Sequence, residues 1–304
     1  MLMPHRHPVV PRCTTVFISI AEERDLAVRN LDHPPLLPGC VERTVVRRGE
    51  DGADQVEADT VAEEVPVAMR YNGVSFAVMM VTPADLEDFA LGFSLSEGLV
   101  DRPEQLLELE IQPRLEGIDL EMRLSVDAPG ARLVEEKVRL LAGRGGCGIC
   151  GTRELEDVVR PPPPVPSALR VTHAALKQAL AALPENQPMN AMTGSTHAAA
   201  WASPEGRILL AREDVGRHNA LDKLYGALMR GGHVPSDGFL VISSRASYEM
   251  VTKAARAGIA LVIAISAPTA LAIELARSAG VCLVGFARNG RYNLYTHPER
   301  VIAG

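Results

Sequence analysis

Aromatic residues make up only 4% of this 304-residue chain, and one tryptophan is all it has. An interior so short of aromatics has to be filled by aliphatic side chains, which a hydrophobic content of 47% supplies. That balance suits an α/β protein better than an aromatic-rich sandwich. A basic surplus is lacking too: 31 Lys and Arg face 38 Asp and Glu, a formal net charge of -7. A nonspecific nucleic-acid binder needs a net basic face to displace counterions, so that class is excluded, although a local cationic site is not. No apolar run reaches the roughly 20 residues of a bilayer span. One of the longest, GIALVIAISAPTALAI (258–273), is interrupted by Pro268. The N-terminal MLMPHRHPVVPRC lacks an unbroken apolar stretch before a small-residue cleavage site, so no signal peptide is expected. Cysteines are few, at Cys13, Cys40, Cys147, Cys150 and Cys282. An odd number with one close pair reads as reduced thiols in a cytoplasmic protein, not as a disulfide framework.

That close pair lies in GRGGCGICGTRELEDV (143–158), with five glycines among its first nine residues. Glycine loses more conformational freedom on folding than any other residue, so such density marks a turn, a close approach or a moving loop. A thiol is nucleophilic as thiolate, and Arg144, Arg153 and uncovered backbone N–H groups all favour that form. Three readings compete. A structural zinc site would need two further ligands, and no second C-x-x-C or nearby His pair supplies them. A thioredoxin-like site would follow an early strand, whereas this one is mid-chain. Two inert buried cysteines sit poorly with so many glycines, and the residues favour an exposed, reactive loop. Zinc deamination is not expected: the only H-x-E, His297-Pro298-Glu299, follows the cysteines, and Gly146 stands where P-C-x-x-C needs proline.

Around this loop the pattern divides. Residues 1–40, rich in Pro and charge, read as a loose extension. Residues 41–142 read as an α+β domain. Its TVAEEVPVAMRYNGVSFAVMMV (60–81) is two strands joined by Asn72-Gly73, a dipeptide that tolerates the positive φ of a tight hairpin. TPADLEDFALGFSLSEG (82–98) is a helix capped by Thr82 with Pro83 first, and LELEIQPRLEGIDLEMRLSV is another hairpin. Residues 143–169 hold the thiol loop and the stiff, Pro-rich RPPPPVPSAL. From 170 to 304, short apolar strands alternate with amphipathic helices. This predicts a three-layer α/β/α domain with a mostly parallel sheet, which binds ligands beyond the carboxyl ends of its strands.

Six segments in consistent order carry a resemblance: LEDFALGFSLSEGLV, GGCGICGTREL, TGSTHAAAWA, REDVGRHNALDKLYG, SSRASYEMVTKAARAGI and LVGFARNGRYNLYTHPERV. Together they make residues 43–304 similar to the FdhD family of formate dehydrogenase accessory sulfurtransferases. The resemblance implies a cytidine deaminase-like C-terminal fold without deaminase chemistry. It implies a persulfide on Cys147, with Cys150 as second cysteine, loaded by a cysteine desulfurase. The acceptor it implies is the metal of a molybdenum bis-molybdopterin guanine dinucleotide, for which guanine nucleotides are analogues, and the recipient is a formate dehydrogenase. The family's cofactor-binding segment falls on Phe286, Ala287, Arg288, Asn289, Gly290 and Arg291. No permanently bound metal is expected. The competing function is a chaperone that holds the cofactor, with a structural or metal-binding C-x-x-C.

Position alone adds further candidates. Phosphates favour guanidinium forks and uncovered N–H groups, which suits Arg288 and Arg291 at a strand end. Ser243, Ser244 and Arg245 leave another strand in the same way. Asp214 is a candidate acceptor for the guanine edge or, equally, a helix cap, and His218 and Asn219 open the helix beside it. His197 and Trp201 read as structural residues. A homodimer would let two sites face one bis-dinucleotide ligand.

Overall fold

The computed structural model describes residues 36–132, 161–288 and 290–303. Cys147, Cys150 and Asn289 therefore lie outside the described residues, as does the end of the first predicted domain from residue 133 on. The chain from Leu36 onward belongs to one compact unit.

Its first element is a long antiparallel ribbon, β1 (Cys40–Arg48) on β2 (Asp54–Ala62), which the sequence reading did not anticipate. Val46 and Val56 pair across it and are both exposed. A four-stranded sheet follows, in the order β4-β3-β6-β5. Its strands are β3 (Val65–Tyr71), β4 (Val74–Val81), β5 (Leu106–Pro113) and β6 (Ile118–Leu124). The Asn72-Gly73 turn joins β3 to β4 as expected, with φ of 50° and 78°. Alternation buries Val67, Met69, Tyr71, Leu120, Met122 and Leu124 on one face, where Phe89, Ala90 and Phe93 of α1 (Leu86–Ser96) cover them.

Helix α1 is buried almost all round because its other side meets α4 (Arg217–Arg230). The two helices cross at glycine. A methyl on Gly92 would lie 1.7 Å from the Asp222 carbonyl oxygen, and one on Gly226 would lie 1.9 Å from that of Asp88. Only hydrogen fits at either position.

The larger sheet runs β13-β12-β11-β10-β8-β9. Its strands are β8 (His197–Ala202), β9 (Ile208–Asp214), β10 (Phe239–Ile242), β11 (Leu261–Ala264), β12 (Cys282–Arg288) and β13 (Arg291–Leu294). The α/β class holds, but parallel pairing is confined to β10-β11-β12; β8, β9 and β13 pair antiparallel. The correction has a local cause, because β8-β9 and β12-β13 are hairpins whose short connections cannot carry a crossover. Helix α4, α5 (Tyr248–Arg256) and α6 (Ala270–Ala279) pack on one face of this sheet. Helix α2 (His173–Ala182) packs on the other, its Thr172 hydroxyl accepting from Ala175 N as a cap. Two single-pair strands, β7 (Val171–Thr172) and β14 (Val301–Ile302), join the start of this region to its end, and α3 (Pro188–Thr193) lies against the ribbon. The sole tryptophan, Trp201, is 4% exposed near the end of β8, its Nε1 donating to Pro235 O.

Among the described residues no helix is long and apolar enough to cross a membrane.

Candidate functional site at the carboxyl edge

Strands β9, β10, β11 and β12 all end at one edge, and β8 begins there, since His197 pairs with Asp214. Helices α4, α5 and α6 start at the same edge and turn their N-terminal dipoles toward it. Topology thus gathers the sequence-predicted residues, though not all in the expected role.

Asp214 is the chief correction. It is wholly buried, and its oxygens accept four hydrogen bonds: Oδ1 from Gly216 N (2.7 Å) and Asn219 Nδ2 (2.9 Å), Oδ2 from Thr82 N (3.0 Å) and Lys223 Nζ (2.7 Å). No lone pair is left over for a guanine edge. Asp214 shapes the strand-to-helix turn and ties it to the end of β4, while Asn219 spends its other N–H on Met80 O (2.7 Å). Lys223 is also fully buried and donates to Thr82 O (2.9 Å); burial pulls its pKa down, with Asp214 opposing. Thr82 is consequently not the cap of α1. Its hydroxyl accepts from Val215 N (3.2 Å), and α1 starts later, after Asp85 in a left-handed conformation with φ 54°.

The neighbouring cluster is more open. His218 Nε2 lies 2.7 Å from Glu249 Oε2, with the two side chains 26% and 29% exposed. The Arg217 guanidinium is 4.0 Å from the same oxygen, and its Nε is shut off from solvent without a partner. The His218 ring nitrogen at this distance, aided by Arg217, holds the Glu249 carboxyl below the usual range despite partial burial. Burial, then the positive charge of Arg217 and His218, holds the His197 imidazole toward its neutral form. Ser243 clamps the start of β8 to the end of β10, its N donating to Ala198 O (3.0 Å) and its Oγ accepting from Ala198 N (2.9 Å). Ser244 is buried and donates to Arg245 O (3.1 Å), whereas Arg245 is exposed.

The end of β12 is the third part. Ladder register breaks between Gly285 and Arg288, and Phe286 sits in that bulge with φ 52° and 42% exposure. A bulky residue in the left-handed region is under strain of the order of 1–3 kcal/mol, which structures tolerate mainly where a side chain must be presented. Phe286 N donates to Ser266 O (3.1 Å), so the turn after β11 braces the bulge. Ala287 is buried; Arg288 and Arg291 are exposed and face each other across the β12-β13 pair, with Gly290 between them at φ 72°. Glu249, Arg217, Lys223 and Ser266 are contributors that sequence reasoning missed. A carboxylate in the first turn of a helix leaving a buried strand was the available signal for Glu249.

No group of three or more His, Cys, Asp or Glu among the described residues is placed to hold a metal ion. Two depressions, about 800 Å³ over β5-β6 and about 290 Å³ beside β9, are lined by other residues than these.

Cations, a strained exposed aromatic and three helix N-termini gather at the carboxyl edge of an α/β sheet, the edge at which α/β proteins bind ligands. The chain belongs to the FdhD/NarQ family, whose model matches residues 62–302. A relative from Xanthomonas campestris pv. campestris named sulfur carrier protein FdhD is 54% identical over 270 residues, 89% of this chain and 95% of the relative. One of the same name from Bordetella petrii is 50% identical over 273 residues, 89% and 98% of the two chains. A crystal structure of "a putative formate dehydrogenase accessory protein from Desulfotalea psychrophila" superposes with a TM-score of 0.67 at 25% identity, covering 87% of this chain and all of that one.

Proposed function

We propose that this protein is a cytoplasmic sulfur carrier that serves a formate dehydrogenase. A cysteine desulfurase loads sulfur as a persulfide on Cys147, and the sulfur passes to the metal of a molybdenum bis-molybdopterin guanine dinucleotide held at the carboxyl edge. The names of the 50–54% identical relatives support sulfur carriage. The geometry supports the acceptor side, and the observation that carries it is Phe286, an aromatic ring kept exposed at the cost of a left-handed backbone between a braced turn and two arginines.

In this reading each part of the edge has its task. Phe286 offers a flat apolar face to a base, as rings stack on every base regardless of sequence. Arg288 and Arg291 present fork-shaped donors to pyrophosphate. Gly290 lets the backbone turn between them. Asp214, Lys223 and Asn219 do not touch ligand; they fix the turn that presents Arg217 and His218. A homodimer would set two such edges against the two halves of the ligand.

The experiment combines the protein with a cysteine desulfurase and cysteine and reads intact mass. A gain of one sulfur atom that disappears in Cys147→Ala supports the reading. No gain would make the protein a cofactor-holding chaperone instead.

A further inference from the structure

With Asp214 buried and saturated, the edge still lacks a group able to tell guanine from adenine. Guanine differs by presenting two adjacent donors, N1–H and N2–H₂, whereas adenine offers an acceptor in place of N1–H. A carboxylate matches the guanine pair. Of the carboxylates near this edge, Glu213 is spent on Met189 N, Asn190 N and the Thr196 hydroxyl, and Asp222 is buried against Ser96 and Lys253. Glu249 remains, partly exposed, in the first turn of α5 where the chain leaves β10.

We propose that Glu249 is the specificity-determining residue of the edge and reads the N1–H and N2–H₂ donors of a guanine base. The inference rests on the nucleotide-binding reading above and deepens it. Three contacts converge on one oxygen: His218 Nε2 at 2.7 Å, Ser247 Oγ at 3.5 Å and Arg217 at 4.0 Å all meet Oε2. These three leave Oε1 as an acceptor for the base edge, and the Tyr248 hydroxyl, which also hydrogen-bonds the Glu249 carboxylate, is the group a docking base has to share it with. His218 thus acts as a positioning residue that fixes the carboxylate plane. The α5 dipole and the neighbouring cations favour the ionised form, the one that accepts without donating. The carboxyl ends of β10, which leads to α5, and of β12, which carries Phe286, lie two strands apart, about 10 Å at ordinary strand spacing. That span lets one base lie with its face on Phe286 and its edge toward Glu249, with the pyrophosphate at the arginine turn.

The test is calorimetric titration of the full-length protein with GDP, IDP and ADP. Wild type should prefer GDP, with IDP weaker because it lacks the 2-amino group. Glu249→Gln should lower GDP affinity tenfold or more and leave ADP within about twofold, because a lost hydrogen bond to a charged partner has that size. Retained ADP binding in the variant shows that it is folded, and Glu249→Asp, which keeps the charge, should retain part of the preference. A GDP-to-ADP ratio unchanged in Glu249→Gln, or equal binding of GDP and IDP by wild type, overturns the inference and leaves the sulfur-carrier reading standing. Failure of wild type to bind any guanine nucleotide overturns the acceptor-side reading and this inference together.

Discussion

The α1-α4 joint and the carboxyl edge both carry charge, yet they treat it in opposite ways. At the joint every charge is matched. Asp88 takes Arg212 (2.7 Å) and Arg230 (2.6 Å), and Lys253 is held by Asp222 (2.9 Å), Glu97 (2.9 Å) and the Ser96 hydroxyl (2.7 Å). Burial alone would pull the Lys253 pKa down, but the two carboxylates outweigh it and leave it raised. The edge leaves Arg245, Arg288 and Arg291 exposed and Phe286 strained. A protein built for stability would relax both features, so the contrast separates the part of the molecule that holds its shape from the part kept ready for something else.

The contrast can be broken most severely at Lys223, the link between the two regions. Lys223→Met strands the Asp214 carboxylate and should cost about 3–5 kcal/mol in urea unfolding. Adding Asp214→Asn should recover a substantial part, since the buried charge is then gone. Gly226→Ala comes next: with no room for a methyl, a loss of about 3 kcal/mol is expected, seen as a lower thermal midpoint. At the edge the sign should reverse. Phe286→Gly relieves the left-handed strain and should gain about 1 kcal/mol while weakening GDP binding; a loss of stability would mean that the ring serves packing instead. The core beneath β12 offers a pH test. Burial pushes the Cys282 thiol up to about 12, so the folded state keeps its proton after the unfolded state has released it. Its contribution is therefore complete below the ordinary thiol range, about 8.5, and is lost as pH rises from there through about 12. Cys282→Ala should flatten that part of the alkaline decline in urea midpoint. The smallest effect belongs to the solvent-exposed Arg48–Asp54 pair on the ribbon, where Arg48→Gln should leave the thermal midpoint unchanged.

Local signals account for what could be read from the sequence. Asn72-Gly73 announced its hairpin, and the helix-strand alternation after residue 170 announced a layered sheet. What escaped depends on distant partners. Asp214 looks the same as a cap, a base acceptor or half of an ion pair until Thr82, 132 residues away in sequence, is seen donating to it. Thr82 and Pro83 suggested a helix start by themselves, but the docking of Thr82 onto Asp214 and Val215 delays the helix to Leu86. The ribbon was missed because β1 and β2 mix polar and apolar residues with no clean alternation and leave Val46 and Val56 exposed. Glu249 passed unnoticed because an acidic first turn is ordinary until His218 is found beside it.

Trp201 has a practical consequence. Its indole sits near the end of β8 away from His197, four residues or about 13 Å along the strand from the edge, and is packed in the sheet core. Intrinsic emission of this protein is therefore an optical gauge of whether the large sheet is intact. It should stay nearly silent when a nucleotide docks, so one fluorophore separates a variant that has come apart from one that has merely lost its ligand.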